Sequence, residues 1–153
     1  MLLAGGSLVG PGQAMAATAT ANATATVVAP ISIAADQDLA FGEFAAGSGG
    51  TIVVAHDGTV TPTGVNMISG TATSPASFSV GGEADSGFTV TLPENATLTN
   101  GTETMTVDNF TSNGVTALTA GTATLAVGAT LNVANGQATG SYAGTFDVSV
   151  EYN

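Results

Sequence analysis

The feature that most constrains the fold is a long two-residue alternation near the start of the chain. Residues 17–33 read ATATANATATVVAPISI; every odd-numbered position is apolar, and the positions between are mostly polar. A period of two is typical of a β-strand with one buried face. A strand of this length would run roughly 55 Å at about 3.3 Å per residue, whereas ordinary strands are about 5–6 residues long. We therefore expect part of this ribbon to pack against something other than its own domain.

Composition excludes several classes of partner and site. The 153 residues include 11 acidic side chains, no lysine or arginine, and no cysteine. Phosphate groups are bound by cationic side chains, so nucleic acid is not expected as a partner. Without cysteine, disulfides and thiolate metal sites are impossible. No cofactor is expected.

Residues 1–16 are predicted to be the remainder of a signal peptide. A short apolar stretch is followed by Ala14-Met15-Ala16, which fits the small-x-small rule for cleavage before Ala17. A basic n-region is missing, so the alternative is that the segment is not a signal peptide. On the first interpretation the protein is exported.

The rest of the chain predicts an all-β fold. No stretch sustains a helical period, and short apolar alternations are separated by turn residues. Asp57–Gly58 and Asn100–Gly101 are expected to be hairpin turns, and Leu39, Phe41 and Phe44 to be core anchors.

The alternating apolar positions predict seven to nine short strands. Those from residue 121 to 141 predict two separate strands, one with Leu125 and Val127 and one with Leu131 and Val133. The last alternation, from Tyr142 to Tyr152, is the cleanest. The expected solution is two antiparallel sheets packed face to face, as in an immunoglobulin-like sandwich.

Chemistry-bearing residues are few. His56 is the sole histidine and Asp57 adjoins it, but neighbouring residues on a strand point opposite ways and do not make a relay. No Gly-x-Ser-x-Gly elbow is present, and we expect a non-enzyme. Asp36 and Asp38 could offer two oxygens to Ca²⁺, although they lack the EF-hand pattern, which favours a solvated turn and no metal.

The N-terminal ribbon leaves three interpretations. It is a leader without structural duty, or residues 17–26 fold back onto their own sheet, or they insert into a neighbouring copy while residues 27–41 form the first strand of the home domain. Its length favours insertion. Addition of a strand to an exposed sheet edge is an established recognition mode, and such a head-to-tail contact produces a filament when it does not close a ring. The predicted division is therefore a signal-peptide remnant at residues 1–16, an N-terminal donor-strand extension at 17–26 and a β-sandwich domain at 27–153.

Several segments resemble known bacterial families. The C-terminal GSYAGTFDVSVEYN resembles the last strand of chaperone–usher pilins, and DLAFGEF resembles a motif of the spore coat protein U and archaic pilin group. TVVAPISI, MTVDNF and GATLNVANGQATGSYAGTF together resemble the family described as domain of unknown function 4402. The resemblance covers about residues 24–153.

The pilin resemblance implies an incomplete sandwich that lacks its last strand. A periplasmic chaperone would lend a strand during export, an outer-membrane usher would assemble the subunits, and the next subunit's extension would replace the lent strand in a cell-surface filament. The implied donor residues are Ala17, Ala19, Ala21, Ala23, Ala25 and Val27. The implied acceptor-groove residues are Phe146, Val148, Val150 and Tyr152. The alternative is a self-complete secreted β-sandwich acting as a surface-coat or carbohydrate-binding module.

Overall fold

The computed structural model describes residues 14–153, and in this part of the chain it contains strands and no helix. The prediction of an all-β fold is confirmed. In chain order the strands are β1 (Ser32–Gln37), β2 (Ala40–Phe41), β3 (Phe44–Ala45), β4 (Gly50–Val54), β5 (Val60–Thr63), β6 (Asn66–Met67), β7 (Thr73–Ser74), β8 (Ala76–Gly81), β9 (Phe88–Thr91), β10 (Asn95–Thr99), β11 (Thr104–Ser112), β12 (Thr122–Val133) and β13 (Ser149–Tyr152).

Seven strands form one curled sheet, in which every pairing is antiparallel. Its main path is β1-β8-β12-β11-β10, and β4 and β5 extend it from the second half of β12. Three two-stranded ladders complete the fold, namely β13 with β9, β2 with β7 and β3 with β6. The arrangement is consistent with a β-sandwich. None of the described residues belongs to a helix that could span a membrane.

The longest strand corrects one prediction from the sequence. Residues 122–133 form the single strand β12, not two short ones. Its first half pairs with β8 and its second half with β4, and Gly128 lies where the partner changes. A Cβ at Gly128 would collide with the backbone of Val54, Ala55 and His56. This glycine therefore permits a close approach of two strands instead of ending one.

Both predicted hairpins are present. β4 and β5 are joined across Asp57–Gly58, where the N–H of Gly58 donates to the carbonyl of Ala55 over 2.9 Å. β10 and β11 are joined across Asn100–Gly101, where Asn100 Oδ1 accepts the N–H of Glu103 over 2.8 Å. In both cases local turn chemistry fixes the register of the strands on either side.

Apolar side chains form two buried clusters on the inner side of the curled sheet. The first cluster consists of Phe41, Ile52, Val54, Val65, Met105, Val107, Ala129, Leu131 and Val133. The second consists of Ala76, Val80, Phe88, Leu118, Leu125 and Val127. The predicted anchors are confirmed, since Phe41 is in the first cluster and Leu39 and Phe44 pack against it.

Aromatic contacts join the two clusters. Phe110 packs against both clusters. Its ring centroid lies 5.0 Å from that of Phe146, which in turn lies 6.3 Å from that of Phe78 in an edge-to-face arrangement. A register shift in β11 between Asp108 and Thr111 accompanies this position; such bulges re-aim a side chain.

Candidate functional site

An open groove of about 1250 Å³ with an apolar floor lies in the described part of the chain. One wall is the run from Ala35 to Gly47, which contains the end of β1, β2 and β3, and the other is the run from Gly136 to Phe146. The floor consists of inward side chains of β8, β10, β11 and β12. These floor residues are Ala76, Phe78, Ala96, Leu98, Met105, Val107 and Leu131.

β1, whose end lies in the first wall, and β13, which follows the second wall, each have a strand edge that lacks a ladder partner among residues 14–153. Within the second wall, Ala143 forms an isolated bridge to Thr99 of β10. β1 pairs with β8 on one side only, and β13 pairs with β9 on one side only. Residues 144–148, which precede β13, belong to no ladder, although exposed and partly buried residues alternate from Thr145 to Val148 as they do in a strand. Such edges are templates for the addition of a further strand.

The segments that carry the two walls approach each other at both ends of the groove. At one end, the N–H of Gly136 donates to the carbonyl of Gly47 over 3.5 Å. At the other, the Tyr152 hydroxyl donates to the carbonyl of Ala29 over 2.7 Å. The groove is therefore an elongated slot between two extended segments, a shape that suits an extended peptide.

The four residues predicted to form the acceptor groove occupy two different places. Phe146 lines the groove. Val148, Val150 and Tyr152 lie past its end, where they are partly buried and pack against the second cluster. They share one face with Phe146, because each is partly buried and each residue between them is exposed.

Much of the groove was not anticipated from the sequence. In the wall from Ala35 to Gly47 the sequence predicts only the core anchors Leu39, Phe41 and Phe44 and a turn or calcium site at Asp36 and Asp38, and no sequence prediction places this wall or the floor at a groove. The sequence carries no signal for the groove, because Ala35 follows Ile33 in the inward phase of β1 as a core residue would, and only the structure shows that it is exposed and lines the groove. An exposed apolar residue on the inward face of a strand marks a place where no other strand packs over the sheet.

The predicted donor residues lie outside the folded body. Ala17, Ala19, Ala21, Ala23, Ala25 and Val27 are all exposed and belong to no strand, and the side chain of Val27 is 96% exposed. The first strand starts at Ser32, five residues after the predicted boundary at Val27. We call residues 17–28 the extension. The predicted signal-peptide remnant, residues 1–16, falls largely outside the described residues.

The other candidate sites do not assemble chemistry in the described part of the chain. The Asp36 carboxylate accepts a hydrogen bond from Ser79 Oγ over 2.5 Å, and the carbonyl of Asp38 accepts one from Ser74 Oγ over 2.9 Å. No group of three potential metal ligands occurs among residues 14–153. His56 lies in the β4–β5 turn. The expectation of a non-enzyme stays a prediction.

Comparison with known proteins gives one match. A family model described as "Domain of unknown function (DUF4402)" matches residues 31–152. No curated protein and no solved structure matches the chain. The matched region begins where the chain enters the folded body, and the extension lies before it.

Proposed function

The chain belongs to the family described as domain of unknown function 4402, and we propose that it is a structural subunit of an extracellular bacterial filament. In this filament the extension of one copy fills the groove of the next. One observation carries the proposal: the same molecule has an exposed alternating segment without a partner and an apolar groove flanked by two strand edges without partners.

The chemistry of the extension fits the groove. As an added strand its backbone would bond to the β1 edge on one side and to the edge of residues 144–152 on the other. The alternation would place Ala19, Ala21 and Ala23 towards the floor and the threonines towards solvent. The floor supplies the bulk, through Phe78, Leu98 and Met105, so small donor side chains suffice.

Backbone pairing would carry much of the affinity. Each alanine methyl contributes well under about 1 kcal/mol at ~25 cal/mol per Å² of buried apolar area. Alanine also has weak β-propensity, which agrees with the absence of strand structure in the free extension. The extension would become a strand only when both edges of a groove supply hydrogen-bond partners.

The unassembled subunit would need a partner during export. An open apolar groove is a surface that promotes association with other molecules. A periplasmic chaperone that lends a strand would cover it, and an outer-membrane usher would exchange that strand for an extension. The contact between subunits is heterologous and therefore propagates as a filament unless it closes.

Deletion of residues 17–26 is the first test. The truncated subunit should form no filaments by electron microscopy, and it should end the filaments of the intact chain, because its groove still accepts an extension. Filaments formed by the truncated subunit alone would overturn the proposal. A stable monomer of the intact chain, obtained without a chaperone, would favour the self-complete module.

A matched pair of point variants tests which face of the extension is buried. Ala21→Asp and Asn22→Asp each place one new carboxylate on adjacent residues of the exposed extension. Ala21→Asp would bury that charge against the floor and should abolish assembly, because a buried unpaired charge is strongly unfavourable. Asn22→Asp would keep it in solvent and should leave assembly close to the parent level. Equal effects would contradict the proposed orientation.

Cysteine cross-linking tests the contact directly, since the chain has no cysteine of its own. One copy would carry Thr24→Cys and the other Thr145→Cys, in the groove wall. Oxidation of assembled filaments should yield covalent dimers from mixed copies and none from either variant alone. The absence of mixed dimers from filaments, with neighbouring extension positions also tried, would exclude this groove as the acceptor.

A further inference from the structure

A three-residue clamp holds the chain where the extension joins the fold. The Glu83 carboxylate accepts the N–H of Ala29 over 3.0 Å, and the Tyr152 hydroxyl donates to the carbonyl of Ala29 over 2.7 Å. The same hydroxyl accepts the N–H of Glu83 over 2.6 Å. Both backbone groups of Ala29 are thus bound by side chains. Glu83 lies 54 positions from Ala29 in the sequence, and Tyr152 lies 123 positions from it.

We infer that Glu83 and Tyr152 are positioning residues that keep the extension out of the groove of its own copy and present it to a neighbour. This inference rests on the proposed function, and it adds how one molecule avoids filling its own acceptor site.

The direction of the strands gives the reason. β1 runs from Ser32 beside the clamp towards the far end of the groove, and the opposite wall runs back from Gly136 to Phe146 and continues through β13 to Tyr152 at the clamp. The extension precedes β1 and would have to reverse direction to enter the groove beside it. For its whole length to reach the groove, this reversal must occur next to the fold, at Ala29 or its immediate neighbours.

The clamp and the local sequence oppose that reversal. Pro30 disfavours the helical region for Ala29 and leaves it extended. A turn at Ala29 would rotate its N–H and its carbonyl away from Glu83 and Tyr152 and so lose both hydrogen bonds. Each is worth about a fivefold change in a conformational equilibrium.

The packing around the Tyr152 hydroxyl indicates that its position is defined by the fold. A Cβ at Gly82 would collide with the Tyr152 hydroxyl and approach Leu118 Cδ1 to 3.0 Å. Gly82 does not have the positive φ that favours glycine, so its lack of a side chain is explained by the room that it leaves for the hydroxyl. The ring of Tyr152 also packs against the second cluster, which fixes its position.

Two variants remove the clamp with little change elsewhere. Tyr152→Phe retains the packed ring and loses only the hydroxyl, and Glu83→Ala removes the carboxylate. Asp57→Ala is the matched control: it deletes a carboxylate that accepts a backbone N–H, that of Thr59, in the remote β4–β5 turn. All three should keep nearly the parent melting temperature, which separates positioning from folding.

The measurement is the distance between two spin labels in one chain, together with filament yield. Labels at Thr24→Cys and Thr97→Cys report whether the extension lies beside its own groove; the second position is exposed on β10. In dilute, monomeric solution Tyr152→Phe and Glu83→Ala should each raise the short-distance population about fivefold, and the pair together by up to about thirtyfold. Filament yield should fall in the same order, and Asp57→Ala should change neither quantity.

The outcomes separate this inference from the proposed function. If the parent chain forms filaments but the clamp variants change neither distances nor yield, the clamp has no positioning role and the filament proposal stands. If clamp variants unfold, the Tyr152→Phe distance distribution at a temperature below its transition still decides the question. If the parent chain forms no filaments, the proposed function fails and the inference fails with it.

Discussion

Two segments with the same alternating pattern meet opposite surroundings in this molecule. β12 pairs along its whole length, with β8 and then β4 on one edge, and its second half also pairs with β11 on the other. Its inward residues from position 125 onwards are buried: Leu125, Val127, Ala129, Leu131 and Val133. The segment from Tyr142 to Tyr152 alternates as regularly, but only its last four residues join a ladder, and only on one edge. Its inward residues are partly buried. The alternation thus indicates which face points inward and does not reveal whether a partner is present.

The extension is a third alternating segment, and it has no cover at all in the described chain. A strand without a sheet and a sheet edge without a strand therefore occur in one molecule. The comparison between β12 and residues 142–152 provides a test. If the extension of a second copy fills the groove, substitutions of inward residues in 142–152 should cost more free energy of unfolding than they do in the free subunit, as substitutions in β12 already do.

The largest effect is expected in the closed region, which consists of β12 and the strands that pair with it. Leu125→Ala removes a fully buried side chain of β12 and should reduce the free energy of unfolding by about 3 kcal/mol, because the buried residues packed around it can relax only partly into the cavity. Chemical denaturation of the truncated monomer would measure this. Thr124→Ala, on the exposed face of the same strand, should change it by less than about 0.5 kcal/mol. Similar losses for both would mean that β12 is not the core strand.

The next largest effect is expected when a strand is added to the open region, which consists of the groove and residues 142–152. A synthetic peptide with the sequence of residues 17–27, added to the subunit that lacks residues 17–26, should stabilise it by about 2.7 kcal/mol at 100 times its Kd. Calorimetric melting at rising peptide concentration would show this. A peptide carrying Ala21→Asp is the control and should produce no shift. Stabilisation by both peptides would indicate non-specific association.

A smaller effect is expected at the groove wall, and it should depend on occupancy. Phe146→Ala removes a partly buried ring, so we expect a loss of about 2 kcal/mol in the free subunit. With the peptide bound, the loss should become larger, because the same ring would then be covered from both sides. Asp147→Ala, at the exposed neighbouring position, serves as the control. A loss that is unchanged by the peptide would place the binding site elsewhere.

Local sequence signals predicted the parts of the fold that local chemistry determines. The all-β class, the hairpins at Asp57–Gly58 and Asn100–Gly101, and the anchor Phe41 follow from turn residues and from alternation, which act within a few positions. The continuity of β12 did not, because a glycine at position 128 has the same appearance whether it ends a strand or makes room for a neighbour. Only the approach of the Val54 backbone distinguishes the two.

The site was predicted in part, for a related reason. Alternation identified the face that carries Phe146 and the unusual length of the extension. It could not identify the opposite wall from Ala35 to Gly47, because this segment forms a wall only where the fold lacks a neighbouring strand, and alternation does not report missing neighbours. Nor could it identify the clamp, since Tyr152 and Ala29 are 123 positions apart and each is an ordinary residue in its own segment.

The smallest effect is expected at the β4–β5 turn, at the margin of the closed region. The N–H of Thr59, 2.9 Å from Asp57 Oδ1, and then the Thr59 hydroxyl lower the pKa of the Asp57 carboxyl below its ordinary value of 3.8. Because the folded pKa is the lower one, the turn's contribution to stability is complete above pH 3.8 and is lost as the pH falls through the folded pKa. A carboxyl titration by NMR should give a midpoint below 3.8, and Thr59→Ala should move it part of the way back, since the backbone N–H remains. A midpoint at or above 3.8 would mean that the turn is open in solution, and that β5 is then less firmly held to the closed region than the register of β4 and β5 indicates.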